Sequence, residues 1–283
     1  MATVQDFTGY TPTWCPGCGD WGIGVAIKTA LTQMGYNPSN VMAFFDIGCS
    51  GNMNDFLNVY AMHTLHGRAI TNAIGAKLGN HTMPVVVIGG DGGLYGEGGN
   101  HMIHACRGNH DITVIVHDNS VYGLTKGQVA PTALHGAKSN STPSGIIEVP
   151  VNPLTLTLTQ GATFVAQSFA GNVPHIISMI KAGMQHKGFS LINILQPCVT
   201  FNKVNTYQYY LKRTYHIPAT HKSDDFGEAL HVASEMNGER YPLGIIYQTH
   251  RLAFHEQLPQ LGSESLIARK KMEGFEQLIS QYL

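Results

Sequence analysis

The sequence predicts an α/β fold: a mostly parallel sheet flanked by helices, with a C-terminal helical extension. Three observations carry this. Short uninterrupted runs of β-branched residues recur, as in strands covered on both faces. Stretches with apolar residues at helical spacing alternate with them, the pattern of a sheet built from crossover units. Glycine is abundant, 32 of 283 residues, and clusters where the strongest strands end.

A first helix is expected over residues 19–35, where Ile23, Ala26, Ile27, Ala30 and Leu31 fall at helical spacing. Residues 41–45 (VMAFF) form a short apolar strand that runs into Asp46-Ile47-Gly48-Cys49. A small-residue helix over 69–78 closes near Gly79-Asn80. Residues 84–88 (PVVVI) are the strongest strand. A helix over 98–107 leads to a strand at 112–116 (ITVIV). Residues 163–166, 173–186 and 191–195 repeat strand, helix and strand. Residues 127–153 are rich in Pro, Ser, Thr and Gly and read as a long functional loop, because strands lie on both sides. Residues 203–283 carry more charge, with helices expected at 225–236 and 263–283. The chain therefore divides into a domain over 1–202 and an extension over 203–283. The extension is expected to make subunit contacts rather than form a second catalytic domain.

A formal net charge of −1 leaves no electrostatic footprint for nucleic acid or an anionic membrane. No stretch approaches the roughly 20 apolar residues that span a bilayer. The opening residues MATVQD lack the basic and apolar parts of a secretion signal. The chain is thus expected in the cytoplasm, where thiols stay reduced. Five cysteines there read as ligands or core residues, not disulfides. Charged residues make up only 12% of the chain, about half the usual roughly 25%. A permanent partner covering part of the surface accounts for this. A compact monomer with a surface rich in Ser, Thr and Asn accounts for it equally.

Gly89-Gly90-Asp91-Gly92-Gly93 stands at the carboxyl end of the strongest strand, the edge where open α/β sheets bind ligands. Glycines let backbone amides approach a diphosphate, and a lone aspartate is a hard oxygen ligand for Mg²⁺. The strand at 112–116 ends in His117-Asp118-Asn119-Ser120-Val121. If the two strands are neighbours, Asn119 reaches the same edge as Asp91. Asp111, His117 and Asp118 are read as strand-end capping residues. Gly17-Cys18-Gly19-Asp20-Trp21-Gly22 matches the dinucleotide pattern G-x-G-x-x-G, but no strand precedes it, so that function is not expected.

Cys15-Pro16-Gly17-Cys18 is a C-x-x-C at the start of a helix. Cys49 and Cys198 lie at element ends, and Cys106 lies inside a helical pattern. Four thiols and one bystander suit either zinc or a 4Fe-4S cluster, and spacing does not choose between them.

The segment Gly90-Asp91-Gly92, followed after 26 residues by Asn119, resembles the metal–diphosphate motif of thiamine-diphosphate enzymes. That resemblance implies a diphosphate-domain fold, with Asp91, Asn119 and the Val121 carbonyl binding Mg²⁺. With the cysteines added, the chain is similar to the thiamine-binding beta subunit of 2-oxoacid:ferredoxin oxidoreductases. The matching stretches are TWCPGCG at 13–19, IGCS at 47–50, LHGR at 65–68, GGDG at 89–92, DNSVYGLTKGQ at 118–128 and QPC at 196–198. They cover roughly residues 10–205. The last eighty or so residues carry little that matches.

The resemblance implies a 4Fe-4S cluster on Cys15, Cys18, Cys49 and Cys198. It also implies a thiamine diphosphate site lined by Gly48, Cys49, Ser50, His66, Gly90, Asp91, Gly92, Gly93, Asn119, Val121, Tyr122, Gly123, Leu124 and Thr125. The cofactor is an electron sink for decarboxylation, and the adjacent cluster draws off electrons toward ferredoxin while coenzyme A removes the acyl group. His66, Arg68 and Lys126 are candidate catalytic residues that bind a substrate carboxylate or stabilise developing charge. Asn52 and Asn54 are weaker candidates. Thiamine enzymes also need a pyrimidine-binding domain and an activating glutamate, which a chain of this length cannot add to a diphosphate domain. Glu97 lies beside the diphosphate motif, at the wrong end of the cofactor. An alpha subunit is therefore expected to supply both, in a dimer of alpha–beta heterodimers. The loop sequence is more similar to the 2-oxoglutarate and broad 2-oxoacid branch than to the pyruvate branch. Two alternatives are an oxidoreductase acting on pyruvate or many 2-oxo acids, and a non-oxidative thiamine enzyme with a structural zinc.

Overall fold

The computed structural model describes residues 2–269, 279 and 280. In chain order the elements are α1 (Asp20–Gln33), β1 (Met42–Phe45), α2 (Met53–Phe56), β2 (Tyr60–His63), α3 (Ala69–Gly79) and β3 (Val85–Gly90). A π-helical turn (Gly92–Glu97) leads into α4 (Gly99–Gly108), then β4 (Thr113–Asp118) and the two short strands β5 (Val121–Tyr122) and β6 (Gln128–Val129). After a long loop come α5 (Pro153–Thr159), β7 (Phe164–Phe169), α6 (Val173–Gln185) and β8 (Ser190–Leu195). The chain continues with α7 (Tyr207–Arg213), β9 (Thr214–His216), α8 (Phe226–Ser234) and β10 (Tyr241–Gln248).

Eight strands form one sheet in the order β2-β1-β3-β4-β8-β7-β10-β9. Neighbours run parallel except β10, which is antiparallel to β7. Alternate residues of the central strands feed two apolar layers. Ile88, Ile115 and Ile192 pack under α1 and α6, against Ile23, Ile27 and Ile180. Val87, Val114 and Leu191 pack on the other face, under α3, α4, α5 and α8. Burial on both faces is why these strands read as unbroken apolar runs.

The C-terminal part differs from the helical extension expected. The helix expected at 225–236 is present as α8, but β9 and β10 extend the main sheet, so residues 214–248 are continuous with it. Of the helix expected at 263–283, the described residues 263–269 hold only a short 3-10 turn, Leu266–Ala268. Residues 270–278 and 281–283 of that expectation lie outside the described residues. The loop expected at 127–153 is observed, apart from β6 at its start. Among the described residues, no helix is long and apolar enough to cross a membrane.

Candidate active site

β1 has β2 on one side and β3 on the other, although β2 precedes β3 in the chain. The carboxyl ends of β1 and β3 therefore flank a topological switch point, where open α/β sheets bind ligands. A cleft of about 500 Å³ opens there. Ile47, Gly48, Cys49 and Ser50 follow β1 into it, and His66 follows β2. Gly90, Asp91, Gly92 and Gly93 line it from the end of β3. Asn119 and Val121 through Thr125 line it from the end of β4. The structure thus brings together every residue expected to line the thiamine site.

Asp91 is 1% exposed. Its Oδ2 accepts hydrogen bonds from the Ser120 N–H (3.0 Å) and the Thr132 hydroxyl. Thr132 also lies 2.8 Å from Asp118, and Asn193 donates to the other Asp118 oxygen at 3.1 Å. One hydroxyl proton cannot serve two carboxylates. Two close contacts therefore require a shared proton on one carboxyl, or a cation between the charges. Burial raises both carboxyls above the ordinary range, and the Asp118 charge raises Asp91 further. Among the described residues no cationic side chain pairs with either. The donor set fits a divalent cation at Asp91, which would offset that desolvation.

Ser120 makes this turn in the left-handed region, φ 63°, unusual for a residue with a side chain, and so aims its N–H at Asp91. The Asn119 Oδ1 accepts from the Val121 N–H at 3.0 Å, and its Nδ2 donates to Gln196 at 2.6 Å. The glycines work differently from expectation. A Cβ on Gly92 would lie 2.3 Å from the Tyr122 ring, and one on Gly93 2.3 Å from Asp46 Oδ1. Both are needed for packing around the turn, whereas Gly90 faces the cleft with room to spare.

Of the four cysteines expected to act together, Cys49 lines the cleft and Cys198 lies close to it across Gly123. A Cβ on Gly123 would stand 3.5 Å from the Cys198 sulfur and 3.6 Å from the Cys49 sulfur. Trp14 and Trp21 donate to the carbonyls of Cys49 and Cys15, fixing both backbones. Burial pushes the Cys49 thiol up to about 12, helped by the charges of Asp20, Cys198 and Cys15. Burial also raises Cys18, and it raises Cys198 despite backbone N–H groups directed at that sulfur. Such thiols stay protonated until a metal replaces the proton. Among the described residues no group of three or more Cys, His, Asp or Glu side chains is arranged to hold a metal ion. Cys106 is buried in α4, packed in the second apolar layer.

Of the catalytic candidates, only His66 lines the cleft. Its Nδ1 lies 3.6 Å from Asp46 and 3.3 Å from Glu97. Asp46 is fully buried and also accepts from the N–H groups of Gly67 and Ile47. Arg68 instead meets His101 at 2.5 Å on the surface. Lys126 sits exposed at the tip of the β5–β6 hairpin, φ 77°. Neither lines the cleft, and neither do Asn52 and Asn54. Glu97 accepts from the Tyr122 hydroxyl at the cleft rim. Of the residues read as capping strand ends, Asp111 pairs with Lys77 and His117 with Asp20, while Asp118 belongs to the Asp91 network. Asp20, Asp46 and Gln196 lie in motif stretches singled out in the sequence but were given no role there, and Thr132 and Asn193 lie in no such motif. Only their spatial meeting reveals their roles.

Residues 46–194 match the thiamine pyrophosphate enzyme C-terminal TPP-binding domain. Residues 198–263 match the C-terminal family of the pyruvate ferredoxin oxidoreductase beta subunit. The 2-oxoacid:ferredoxin oxidoreductase subunit beta of Saccharolobus solfataricus is 43% identical over 256 residues, 86% of this chain and 84% of that one. The chain belongs to the beta subunits of the 2-oxoacid:ferredoxin oxidoreductases. It is also 40% identical over 191 residues to the 2-oxoglutarate synthase subunit KorB of Archaeoglobus fulgidus, 68% of this chain and 71% of that one. A solved 2-oxoglutarate:ferredoxin oxidoreductase from Magnetococcus marinus, with 2-oxoglutarate, coenzyme A and succinyl-CoA bound, superposes with a TM-score of 0.92 at 37% identity. That match covers 100% of this chain and 96% of the other. The family makes this chain an oxidoreductase subunit of the thiamine-dependent class, within a multi-subunit enzyme.

Proposed function

We propose that the chain is the catalytic beta subunit of a 2-oxoglutarate:ferredoxin oxidoreductase, which converts 2-oxoglutarate and coenzyme A to succinyl-CoA and CO₂. In this reading Asp91, Asn119 and the Val121 carbonyl hold Mg²⁺ against the diphosphate, and Cys15, Cys18, Cys49 and Cys198 hold a 4Fe-4S cluster. One observation carries the reading: a buried carboxylate with no protein cation and the thiols of Cys49 and Cys198 flank the same cleft, with the hairpin segment 121–123 between them. Thiamine diphosphate, when bound, supplies the electron sink for loss of CO₂, and the cluster beside it accepts single electrons.

The chain's own residues then have separable roles. The Asp91 carboxylate charges when the cation arrives. Thr132 and Ser120 hold it in place. His66, its Nδ1 facing Asp46 and Glu97, presents its other nitrogen toward the reacting group. The β5–β6 hairpin covers the cleft and excludes water. Arg68 and Lys126 act only if the alpha subunit folds them inward. That subunit supplies the pyrimidine-binding domain and activating glutamate, in a dimer of alpha–beta heterodimers. Residues 203–283 contribute subunit contacts, ferredoxin is the electron acceptor, and the assembly works in the cytoplasm. The choice of 2-oxoglutarate rests on the relatives named for that acid and on the loop resemblance.

The test is a panel of 2-oxo acids with the reconstituted alpha–beta complex, Mg²⁺, thiamine diphosphate, coenzyme A and a viologen dye. Fastest dye reduction with 2-oxoglutarate is expected, and a preference for pyruvate would overturn the substrate. The complex should be brown and contain iron. Cys198→Ala should lose the cluster, bleaching the protein. A colourless wild-type complex containing zinc would leave a non-oxidative enzyme instead.

A further inference from the structure

Gln196 leaves the carboxyl end of β8 and is 1% exposed. Its backbone N–H donates to the Asp118 carbonyl at 2.8 Å, which fixes the residue beside the turn carrying Asn119. Its side-chain Oε1 accepts from Asn119 Nδ2 at 2.6 Å. Its Nε2 donates to the Cys18 sulfur at 3.2 Å and to the Pro197 carbonyl at 3.1 Å. Gly19 leaves just enough room, since a Cβ there would lie 2.8 Å from Gln196 Cγ. A single buried side chain thus touches one residue of the diphosphate–metal edge and one of the four thiols. Its own chain continues two residues later into a third participant, Cys198.

We propose that Gln196 is a positioning residue that ties the metal–diphosphate end of the thiamine site to the iron–sulfur cluster. Its carbonyl oxygen orients the Asn119 amide, and its N–H donates to the Cys18 sulfur. The inference rests on the cofactor reading above and deepens it. Because Oε1 can only accept, it fixes which end of the Asn119 amide is the NH₂ and leaves Oδ1, which accepts from the Val121 N–H, a second lone pair for a cation. Partners of metal ligands typically change affinity by about 10–100-fold when removed. At the other end, reduction of a cluster places charge on its sulfurs. An N–H aimed at one of them stabilises the reduced state and raises the potential. The two ends share one planar amide. A shift of the Asn119 turn therefore moves the hydrogen bond on Cys18, so occupancy of the thiamine site is felt at the cluster.

Two variants separate the two ends. Gln196→Glu is nearly isosteric and, titrated at a pH high enough to ionise it, keeps an acceptor for Asn119 but has no donor for Cys18 and adds a negative charge. Gln196→Leu removes both. The measurements are the cluster midpoint potential, by redox titration followed by electron paramagnetic resonance, and Mg²⁺-dependent thiamine diphosphate affinity, by calorimetry on the alpha–beta complex. The Glu variant should lower the potential and leave affinity within about twofold. The Leu variant should lower the potential and weaken affinity about tenfold. Wild-type potential in the Glu variant, or wild-type affinity in the Leu variant, overturns the proposal. If the Leu variant fails to assemble, the Glu variant decides alone: a lowered potential at wild-type affinity supports the bridge, and an unchanged potential defeats it. A wild-type complex with neither cluster signal nor thiamine binding fails before any variant is made, which marks a failure of the underlying reading.

Discussion

The two ends of the parallel strands both bury polar side chains, and they satisfy them by opposite means. At the amino end, Lys77 meets Asp111 at 2.8 Å and the Met83 carbonyl at 3.0 Å. Burial raises Asp111, but the Lys77 ammonium and neighbouring donors outweigh it and hold the carboxyl below its usual range. Asn109, in the left-handed region at the end of α4, donates to the carbonyls of Arg251 and Leu252. It accepts from the Phe189 N–H and the Thr163 hydroxyl. Arg251 in turn donates to the carbonyls of Cys106, Arg107 and Gly161. These charges and amides complete one another within the chain. At the carboxyl end, Asp91, Asp118 and the three buried or half-buried thiols are all pushed up, with no protein cation to reverse it among the described residues. A self-satisfied edge is structure. An edge left with displaced protons awaits external positive charge.

The sharpest way to break this comparison is to delete one carboxylate at each end. Asp91→Ala should abolish Mg²⁺-dependent binding of thiamine diphosphate, a loss of two orders of magnitude or more, while the cofactor-free chain stays as stable as wild type or gains stability. It loses a buried carboxylate that has no cationic partner. Asp111→Ala should do the reverse, costing about 3–5 kcal/mol because Lys77 is left buried and unpaired, while cofactor affinity in the surviving folded protein is unchanged. Calorimetric titration and denaturant unfolding of both variants check this. Retained cofactor affinity in Asp91→Ala would break the metal assignment. A strong fall in its cofactor-free stability would erase the distinction between the two ends.

Thr132→Val sharpens the same contrast at smaller amplitude. The substitution keeps shape but removes the hydroxyl that joins Asp91 to Asp118. An outer partner of a metal ligand is worth about 10–100-fold in affinity, and the Ser120 N–H remains on Asp91, so the low end is expected: roughly tenfold weaker Mg²⁺-dependent binding. No change in affinity would show that the two carboxyls act independently.

The same contrast explains what could be seen in the sequence. Strands β3, β4, β7 and β8 were legible because both of their faces are buried, which writes an unbroken apolar run into the chain. β2 was not, since all four of its residues, YAMH, are exposed at the sheet edge and carry no pattern. β10 contains Pro242 and Gly244 and a register shift at Ile245/Tyr247, so no strand was expected there although it joins the main sheet between β7 and β9. In the site, Asp91, Asn119 and the cysteines were legible because their chemistry is intrinsic and they sit just past element ends. Thr132 stands 41 positions from Asp91, and Gln196 77 from Asn119. Their residue types are ordinary, and their role arises only when the fold closes. Arg68 and Lys126 show the converse: suggestive residue types beside the right motif, which the isolated fold leaves outside the cleft.

The smallest effect tests whether the two ends also differ toward acid. Burial holds His110, packed on Phe254 at the amino end, down at about 4, helped by the neighbouring His255. Burial does the same to His175, bonded to Ser168 at 2.7 Å near the carboxyl end, with His216 adding to it. Unfolded, both return to about 6.5. Between about 4 and 6.5 the unfolded chain therefore binds more protons than the folded one. Each residue's contribution is complete above 6.5 and is lost as the pH falls toward 4. The raised carboxyls at the carboxyl end act with the opposite sign, because the folded state takes up their protons first. Acidification should thus lower the melting temperature of the cofactor-free chain by only a few degrees, the histidine loss partly offset by the carboxyl gain. His110→Gln removes one such loss, so its melting curve should flatten between pH 6.5 and 4. His175→Gln should flatten it as well. A wild-type slope in both variants would mean that the histidines titrate alike in the folded and unfolded chain, and that the acid response lies in the carboxyl edge alone.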